Sequence, residues 1–280
     1  MGGRGQDLTL EARLSRFPRV GLARLPTPLE PLPRLTAALG GPRLWVKRED
    51  CTGFGFGGNK LRKLDFVLHE ARAAGADTLV SGGVVQSNSQ RQVAAAAARL
   101  GLACHLAVYH GRVAAPGPEY EQNGNALLTR LFGATLHDVP WDGDRNGAID
   151  RLAARLRDEG ARPYVVPYGV SSGLGAVGYA SAATEIAAQC GDLDFVPAAI
   201  VHCSGSGATQ AGLAVGAAAC LPDTQVLGID IDAEPARVRR DVRRIATEAA
   251  NLLDMPLDLG RIEVIAGHAA IFAYRAALST

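Results

Sequence analysis

The sequence predicts an α/β fold of parallel-rich sheets flanked by helices. Three observations predict it. From Arg43 onward, short β-branched or apolar runs alternate with longer segments of helical period, the order that parallel strands and crossover helices impose. The 280 residues are 48% hydrophobic and 20% charged, which supports one large α/β domain or two smaller ones sharing a core and leaves no case for wholesale disorder. Glycine, at 33 of 280, exceeds its ordinary share of roughly 7%, as tight turns and close backbone approaches require.

The elements run in order. Leu25-Pro26-Thr27-Pro28-Leu29-Glu30-Pro31 is spaced by prolines, so it cannot be helix interior and is expected to run extended across another element. Strand Leu44–Lys47 precedes a helix over Lys60–Ala74; strand Thr78–Ser81 precedes a helix over Asn88–Leu100, with Ser87 as its N-cap. Strand His105–Tyr109 leads through a Pro- and Gly-bearing surface loop at 112–120 into helix Asn123–Phe132. Strand Leu136–Val139, helix Asn146–Glu159, strand Tyr164–Val166 and helix Ala176–Cys190 continue the alternation. Strand Ala199–His202, helix Thr209–Ala219, strand Val226–Ile231, helix Ala236–Leu253 and strand Ile262–Ile265 complete it, every strand bounded by Gly, Pro or polar residues.

Composition narrows the partners. Lys+Arg 29 against Asp+Glu 28 leaves a net charge of +1, without the excess that drives binding to nucleic acid or anionic lipid, so small molecules are the expected ligands. The basic run Arg237–Arg244, with Asp230, Asp232, Glu234 and Asp241 nearby, reads as a solvated helix face. No apolar run approaches the roughly 18 residues of a membrane span, and Met1–Arg16 lacks the apolar region of a secretory signal. Gln6 breaks the myristoylation pattern that Gly2 opens. Five scattered cysteines without CxxC spacing read as reduced, Cys51 included, and six histidines without paired spacing give no metal site. The expected compartment is the cytoplasm.

Three segments exceed ordinary punctuation. Gly53-Phe54-Gly55-Phe56-Gly57-Gly58-Asn59-Lys60-Leu61-Arg62-Lys63 runs a glycine loop into a helix whose first turn carries two lysines. Lysines there oppose the positive end of the helix dipole, unless an anion or covalent partner sits beside them. Gly82-Gly83-Val84-Val85-Gln86-Ser87-Asn88-Ser89-Gln90-Arg91-Gln92 places polar groups at the C-terminal end of a parallel strand, where open α/β sheets bind ligands. Ser204-Gly205-Ser206-Gly207-Ala208-Thr209-Gln210-Ala211-Gly212 lets successive backbone N–H groups converge on a phosphate at a helix start, without the spacing of a nucleotide P-loop or dinucleotide fingerprint. A phosphate cradle and a lysine at a second glycine loop are the minimum kit for pyridoxal phosphate.

These motifs resemble the D-cysteine desulfhydrase and 1-aminocyclopropane-1-carboxylate (ACC) deaminase family of pyridoxal-phosphate enzymes, of the two-domain tryptophan synthase β-like fold (fold type II). Arg16-Phe17-Pro18-Arg19, Pro26-Thr27-Pro28-Leu29-Glu30, Lys47-Arg48-Glu49-Asp50, Asn123-Gly124-Asn125 and Leu174-Gly175-Ala176-Val177-Gly178-Tyr179 extend the likeness from about Arg16 to Val264. The resemblance implies a large cofactor domain of residues 1–65 and 173–280, a small one of 66–172, the cofactor between them, and a homodimer. It makes Lys60 the Schiff-base lysine with Asn59 before it, and Lys63 a group that approaches the phosphate. Ser87 corresponds to the serine near the substrate carboxylate and α-carbon, and Asn88 to the asparagine on the cofactor's ring hydroxyl. Gly205, Ser206, Gly207, Ala208 and Thr209 match the phosphate loop. A lysine freed by transimination can shuttle a proton.

Two positions depart from the family. Ser89 stands where members carry His or Gln. After Ala266, members continue through a Gly-Tyr-Gly loop, two helices and a His-Thr-Gly-Gly turn; here Gly267–Tyr274 already resembles the stretch beyond that turn, so the chain reads as internally deleted. The missing part carries two tyrosines around the substrate and the residue facing the pyridine nitrogen, and Tyr168, Tyr179 and Tyr274 do not match them. Such a gap is expected to open one wall of the site and expose apolar neighbours. The leading expectation is a lyase that releases pyruvate, ammonia and sulfide from D-cysteine. ACC deaminase, cysteate sulfo-lyase, a catalytically impaired homologue and, last, a nucleotide-binding protein are the alternatives.

Overall fold

A computed structural model describes residues 8–112 and 117–267. The loop residues Val113–Pro116, the residues before Leu8 and the stretch from His268, Tyr274 included, lie outside the described residues. Two compact units divide the chain: residues 20–171, and residues 8–19 with 172–267. The division implied by the resemblance breaks at 65/66, whereas the unit boundary lies at 19/20.

The unit of residues 20–171 is built on a four-stranded parallel sheet. It begins with a short antiparallel pair, β1 (Leu29–Pro31) and β2 (Trp45–Lys47), which bracket helix α2 (Pro33–Leu39). Of the proline-spaced segment, Leu29–Pro31 is extended and pairs as a strand, while Leu25 and Pro26 bend. Helix α3 (Lys60–Ala73) then leads to β3 (Thr78–Val84), α4 (Asn88–Leu100) and β4 (Ala103–His110). Helix α5 (Gly124–Leu131), β5 (Thr135–Pro140), α6 (Gly147–Asp158) and β6 (Pro163–Val165) come next. The strand order is β5-β4-β3-β6.

Consecutive residues of β3 point to opposite faces. A Cβ at Gly82 would meet Ile149 of α6, and one at Gly83 would meet Ser87 and Gln90 of α4. Helices therefore cover both faces, and β3 is buried at every position. The chain steps from β3 to β4 to β5 and returns as β6 on the far side of β3. That reversal is a topological switch point, and in open α/β sheets the crevice at the strands' C-terminal ends receives the ligand. The turns after β3 and β6, residues 85–87 and 166–170, flank it.

At the sheet's outer edge, His105 of β4 and His137 of β5 stack with ring centroids 5.3 Å apart, and His105 Nδ1 lies 3.0 Å from His137 Nε2. Arg155 of α6 sits 3.1 Å from His137 Nδ1. A guanidinium only donates, so His137 Nδ1 accepts and its proton lies on Nε2.

The second unit opens with α1 (Leu10–Leu14), then carries α7 (Gly173–Asp192), β7 (Ala199–Ser204), α8 (Ala208–Cys220), β8 (Gln225–Asp230), α9 (Pro235–Leu252) and β9 (Ile262–Ile265). Its strands form a parallel sheet in the order β7-β8-β9. Helices α7 and α8 approach closely because Gly212 and Gly216 lack side chains: a Cβ at Gly212 would lie 2.1 Å from Ala176 O, and one at Gly216 2.6 Å from Ala183 Cβ. In the basic run, Arg237 fans across Asp232, Glu234 and Asp241, and Arg244 pairs with Glu248. No described helix is long and apolar enough to cross a membrane.

Candidate active site

The loop before α3 follows a left-handed path. Positive φ values occur at Gly53, Gly55, Phe56, Gly57 and Gly58. At Gly57 a Cβ would lie 1.8 Å from Asp50 O, so no other residue fits that turn. Thr52, fully buried, staples the loop: its Oγ1 accepts from Gly58 N at 2.9 Å and donates to Gly58 O at 3.1 Å.

Helix α3 starts with three basic side chains, of which Arg62 and Lys63 are buried and Lys60 is half-buried. Arg62, 1% exposed, is held by Glu49 through two bonds of 2.7 and 2.8 Å and donates to Thr27 Oγ1 at 3.1 Å. Thr27 donates to Glu49 at 2.8 Å, and Lys47 Nζ to Thr27 O at 2.6 Å. Two sequence stretches, Pro26–Glu30 and Lys47–Asp50, thus fasten the start of α3. Burial lowers the Lys60 amine to about 8. Lys63 is driven well below the ordinary lysine value by burial first and by the charge of Lys60 second. Its Nζ lies 3.5 Å from Gly169 O, in the turn after β6.

The start of α4 faces this helix. Ser87 is the N-cap, its Oγ accepting from Gln90 N at 3.2 Å. Asn88 Nδ2 donates to Asn59 Oδ1 at 3.2 Å, and the same oxygen accepts from Lys60 Nζ at 3.3 Å. Asn59, Lys60, Lys63, Ser87 and Asn88 are therefore gathered at the switch point of one unit. Ser89 is 6% exposed, and its hydroxyl has no hydrogen-bond partner.

Two residues of this site escaped the motif reading. Gln92 Oε1 accepts from Lys60 N at 3.0 Å and Leu61 N at 3.1 Å, so a neighbouring helix caps α3, which has no side-chain cap of its own. Arg91 reaches back to the glycine loop, donating to Gly57 O at 2.9 Å and to Gly55 O. Their signal was present in the sequence: Gln90, Arg91 and Gln92 are long polar residues in an otherwise alanine-rich helix.

The third motif lies in the other unit. Gly205–Thr209 joins β7 to α8, with Gly207 at φ +97° as the helix's first flanking residue. A glycine-lined loop at a helix start is the kind of backbone that receives a phosphate. Beneath the loop, Ser204 Oγ is buried without a partner, as are Asp230 Oδ2 and Gln210 Oε1. Ser204 and Asp230 are register partners on neighbouring strands.

Within the unit of residues 20–171 the side chains fit an aldehyde: Lys60 offers an amine of lowered basicity and Lys63 a second, buried amine. In the other unit the glycine-lined start of α8 has the form that seats a phosphate.

Comparison with known proteins agrees. The chain is 44% identical over 218 residues to a D-cysteine desulfhydrase of Salmonella choleraesuis (strain SC-B67), covering 78% of this chain and 66% of that protein. It is 43% identical over 229 residues to a D-cysteine desulfhydrase of Salmonella paratyphi B (strain ATCC BAA-1250 / SPB7), covering 82% and 69%. The chain thus spans about two thirds of the length of these relatives. Among solved structures, an ACC deaminase homologue superposes with a TM-score of 0.81 at 33% identity, over 92% of this chain and 76% of that one. The profile described as pyridoxal-phosphate dependent enzyme matches residues 20–267, and the chain belongs to that family.

Proposed function

We propose that the chain is a pyridoxal-phosphate-dependent lyase acting on a small amino acid, converting D-cysteine to pyruvate, ammonia and sulfide. The observation that carries this reading is the Lys60 amine behind the glycine loop, donating to Asn59 Oδ1 at 3.3 Å, where desolvation lowers it to about 8. Roughly a tenth of such an amine is neutral at pH 7, against well under a thousandth at the ordinary lysine value. Lys60 Nζ would hold the cofactor's aldehyde carbon and, as a free amine, would take the substrate's α-proton. When bound, the cofactor supplies an electron sink for the substrate's α-carbon. Ser87 and the first N–H groups of α4 receive the substrate carboxylate. Asn88 donates to the ring oxygen. The family resemblance gives the phosphate to Lys63 and to the loop Gly205, Ser206, Gly207, Ala208 and Thr209. The same resemblance supports a cytoplasmic homodimer.

The experiment is sulfide and pyruvate release from D-cysteine by the purified chain and by Lys60→Ala. Loss of both products, and of the visible absorption of the lysine-bound cofactor, is expected in the variant; absorption that survives removes Lys60 from its role. ACC deaminase or cysteate sulfo-lyase is the second reading, favoured by the likeness to an ACC deaminase homologue; ammonia release from ACC or sulfite release from cysteate, without sulfide from D-cysteine, selects it. A catalytically impaired homologue is the third reading, resting on the internal deletion read from the sequence after Ala266. Sulfide release comparable to a full-length relative overturns that reading.

A further inference from the structure

We infer that Arg91 is a positioning residue for this chemistry: it sets the direction of an amide relay that ends on Lys60 and pins the glycine loop in front of it. The inference rests on the proposed cofactor reading for its consequence, though not for its geometry. Arg91 is 6% exposed on the second turn of α4. Its guanidinium has four oxygen partners and, among the described residues, no carboxylate. Nε donates to Asn125 Oδ1 at 2.6 Å, Nη1 to Gly55 O, and Nη2 to Gly57 O at 2.9 Å and to Asn88 Oδ1. A buried cation without a counter-ion is costly, and its pKa is lowered by burial. Four oxygens from three separate segments are what hold it.

The direction comes from donor chemistry alone. A guanidinium has no acceptor, so the Asn88 atom facing it is the amide oxygen, and the Gln92 amide nitrogen donates to that same oxygen. Asn88 Nδ2 is thereby turned away from Arg91 and toward Asn59 Oδ1, the oxygen that also accepts from Lys60 Nζ. Neither amide can flip without setting like groups face to face. Asn88 is therefore held as a donor toward the ring oxygen assigned to it, with the positive charge of Arg91 directly behind. Both effects favour the more anionic, deprotonated form of the lysine-bound cofactor and lower the pH at which it titrates.

The test uses the full chain with Arg91→Met and Arg91→Lys, read in two ways. Hydrogen exchange without added cofactor reports on residues 53–58, where Arg91→Met is expected to speed exchange about tenfold. The pH midpoint of the lysine-bound cofactor's visible absorption is expected to rise by about one unit in Arg91→Met and by less in Arg91→Lys, which keeps the charge but loses the fork. A folded Arg91→Met with unchanged exchange and unchanged midpoint overturns the inference, and faster exchange with an unmoved midpoint reduces Arg91 to a structural anchor and overturns the relay. If Arg91→Met does not fold, Asn125→Ala removes only the acceptor of Nε: a smaller upward shift is expected, and none overturns the inference. Should exchange rise while the unmutated chain shows no Lys60-dependent absorption, the cofactor reading fails and the anchoring of the loop stands.

Discussion

The two parallel sheets are built from the same kind of strand and differ in what covers them. Every position of β3 is buried, with α4 on one face and α6 on the other. In the three-stranded sheet, β7 alternates: Ile200 and His202 are half-buried and Ser204 buried, while Ala199, Val201 and Cys203 are exposed, Val201 by 60%. On that outward face Leu227, Ile229 and Ile265 are only half-buried. Parallel sheets are ordinarily buried on both faces. Among the described residues, apolar side chains therefore stay exposed on one face of this sheet, in the unit that carries the 205–209 loop. The polar groups contrast in the same way. Around Lys60 the side-chain amides satisfy one another and the Ser89 hydroxyl alone lacks a partner, whereas under the 205–209 loop Ser204, Gln210 and Asp230 each carry a buried atom without one.

The sharpest break in the comparison is chemical. Lys60→Ala is expected to cut turnover by at least about a thousandfold and to leave inorganic phosphate binding intact, since the anion seat lies in the other unit; weakened phosphate binding contradicts that separation of roles. Next is packing. Ile149 is fully buried against β3, so Ile149→Ala is expected to cost about 2–5 kcal/mol in denaturant unfolding. For Gly207→Ala, the positive φ and a Cβ 3.2 Å from Val242 N strain the start of α8. Cofactor affinity should fall by about tenfold with turnover at saturation largely kept, which a cofactor titration separates from a kcat effect.

Two smaller effects separate the sheets further. Burial first, and then neighbouring positive charge, lowers His137 and His105 below their usual 6.5. The unfolded chain takes up protons before the folded one does, so this contribution to stability is complete above pH 6.5 and shrinks as the pH falls below it. Unfolding midpoints measured between about pH 5 and pH 7.5 should show that slope, flattened in His137→Gln. Val201→Ala should change stability by no more than about 0.5 kcal/mol, because the side chain is already in water; a loss as large as that of Ile149→Ala means the face is covered in solution.

Much of this was legible in the sequence because it is written locally. Ser87 before an alanine-rich run marks the start of α4, and the structure begins that helix at Asn88 and ends it at Leu100, the bounds expected from the sequence. The strands from Thr78 onward were located, with β3 and β4 each extending several residues further because sheet partners, and not the strand's own residues, decide where pairing stops. Helices α1 and α2 were not read, being five and seven residues with little periodicity to show. The motifs point to Ser87, Asn88, Asn59, Lys60 and Lys63, which the fold brings close together. They do not point to Arg91 and Gln92, because their partners at Gly55, Gly57, Lys60 and Leu61 lie some thirty-odd positions away. Only the packing of α4 beside α3 brings them together.

The cap that Gln92 lends to α3 has a consequence for anyone who moves these pieces. A segment such as Gly57–Lys63 looks like a portable cassette, a short string that could be grafted into another scaffold to install a reactive lysine. Its helix, however, starts on hydrogen bonds owned by residue 92. Transplanted alone, the lysine would arrive on a frayed end; the smallest inheritable unit is the two helices together.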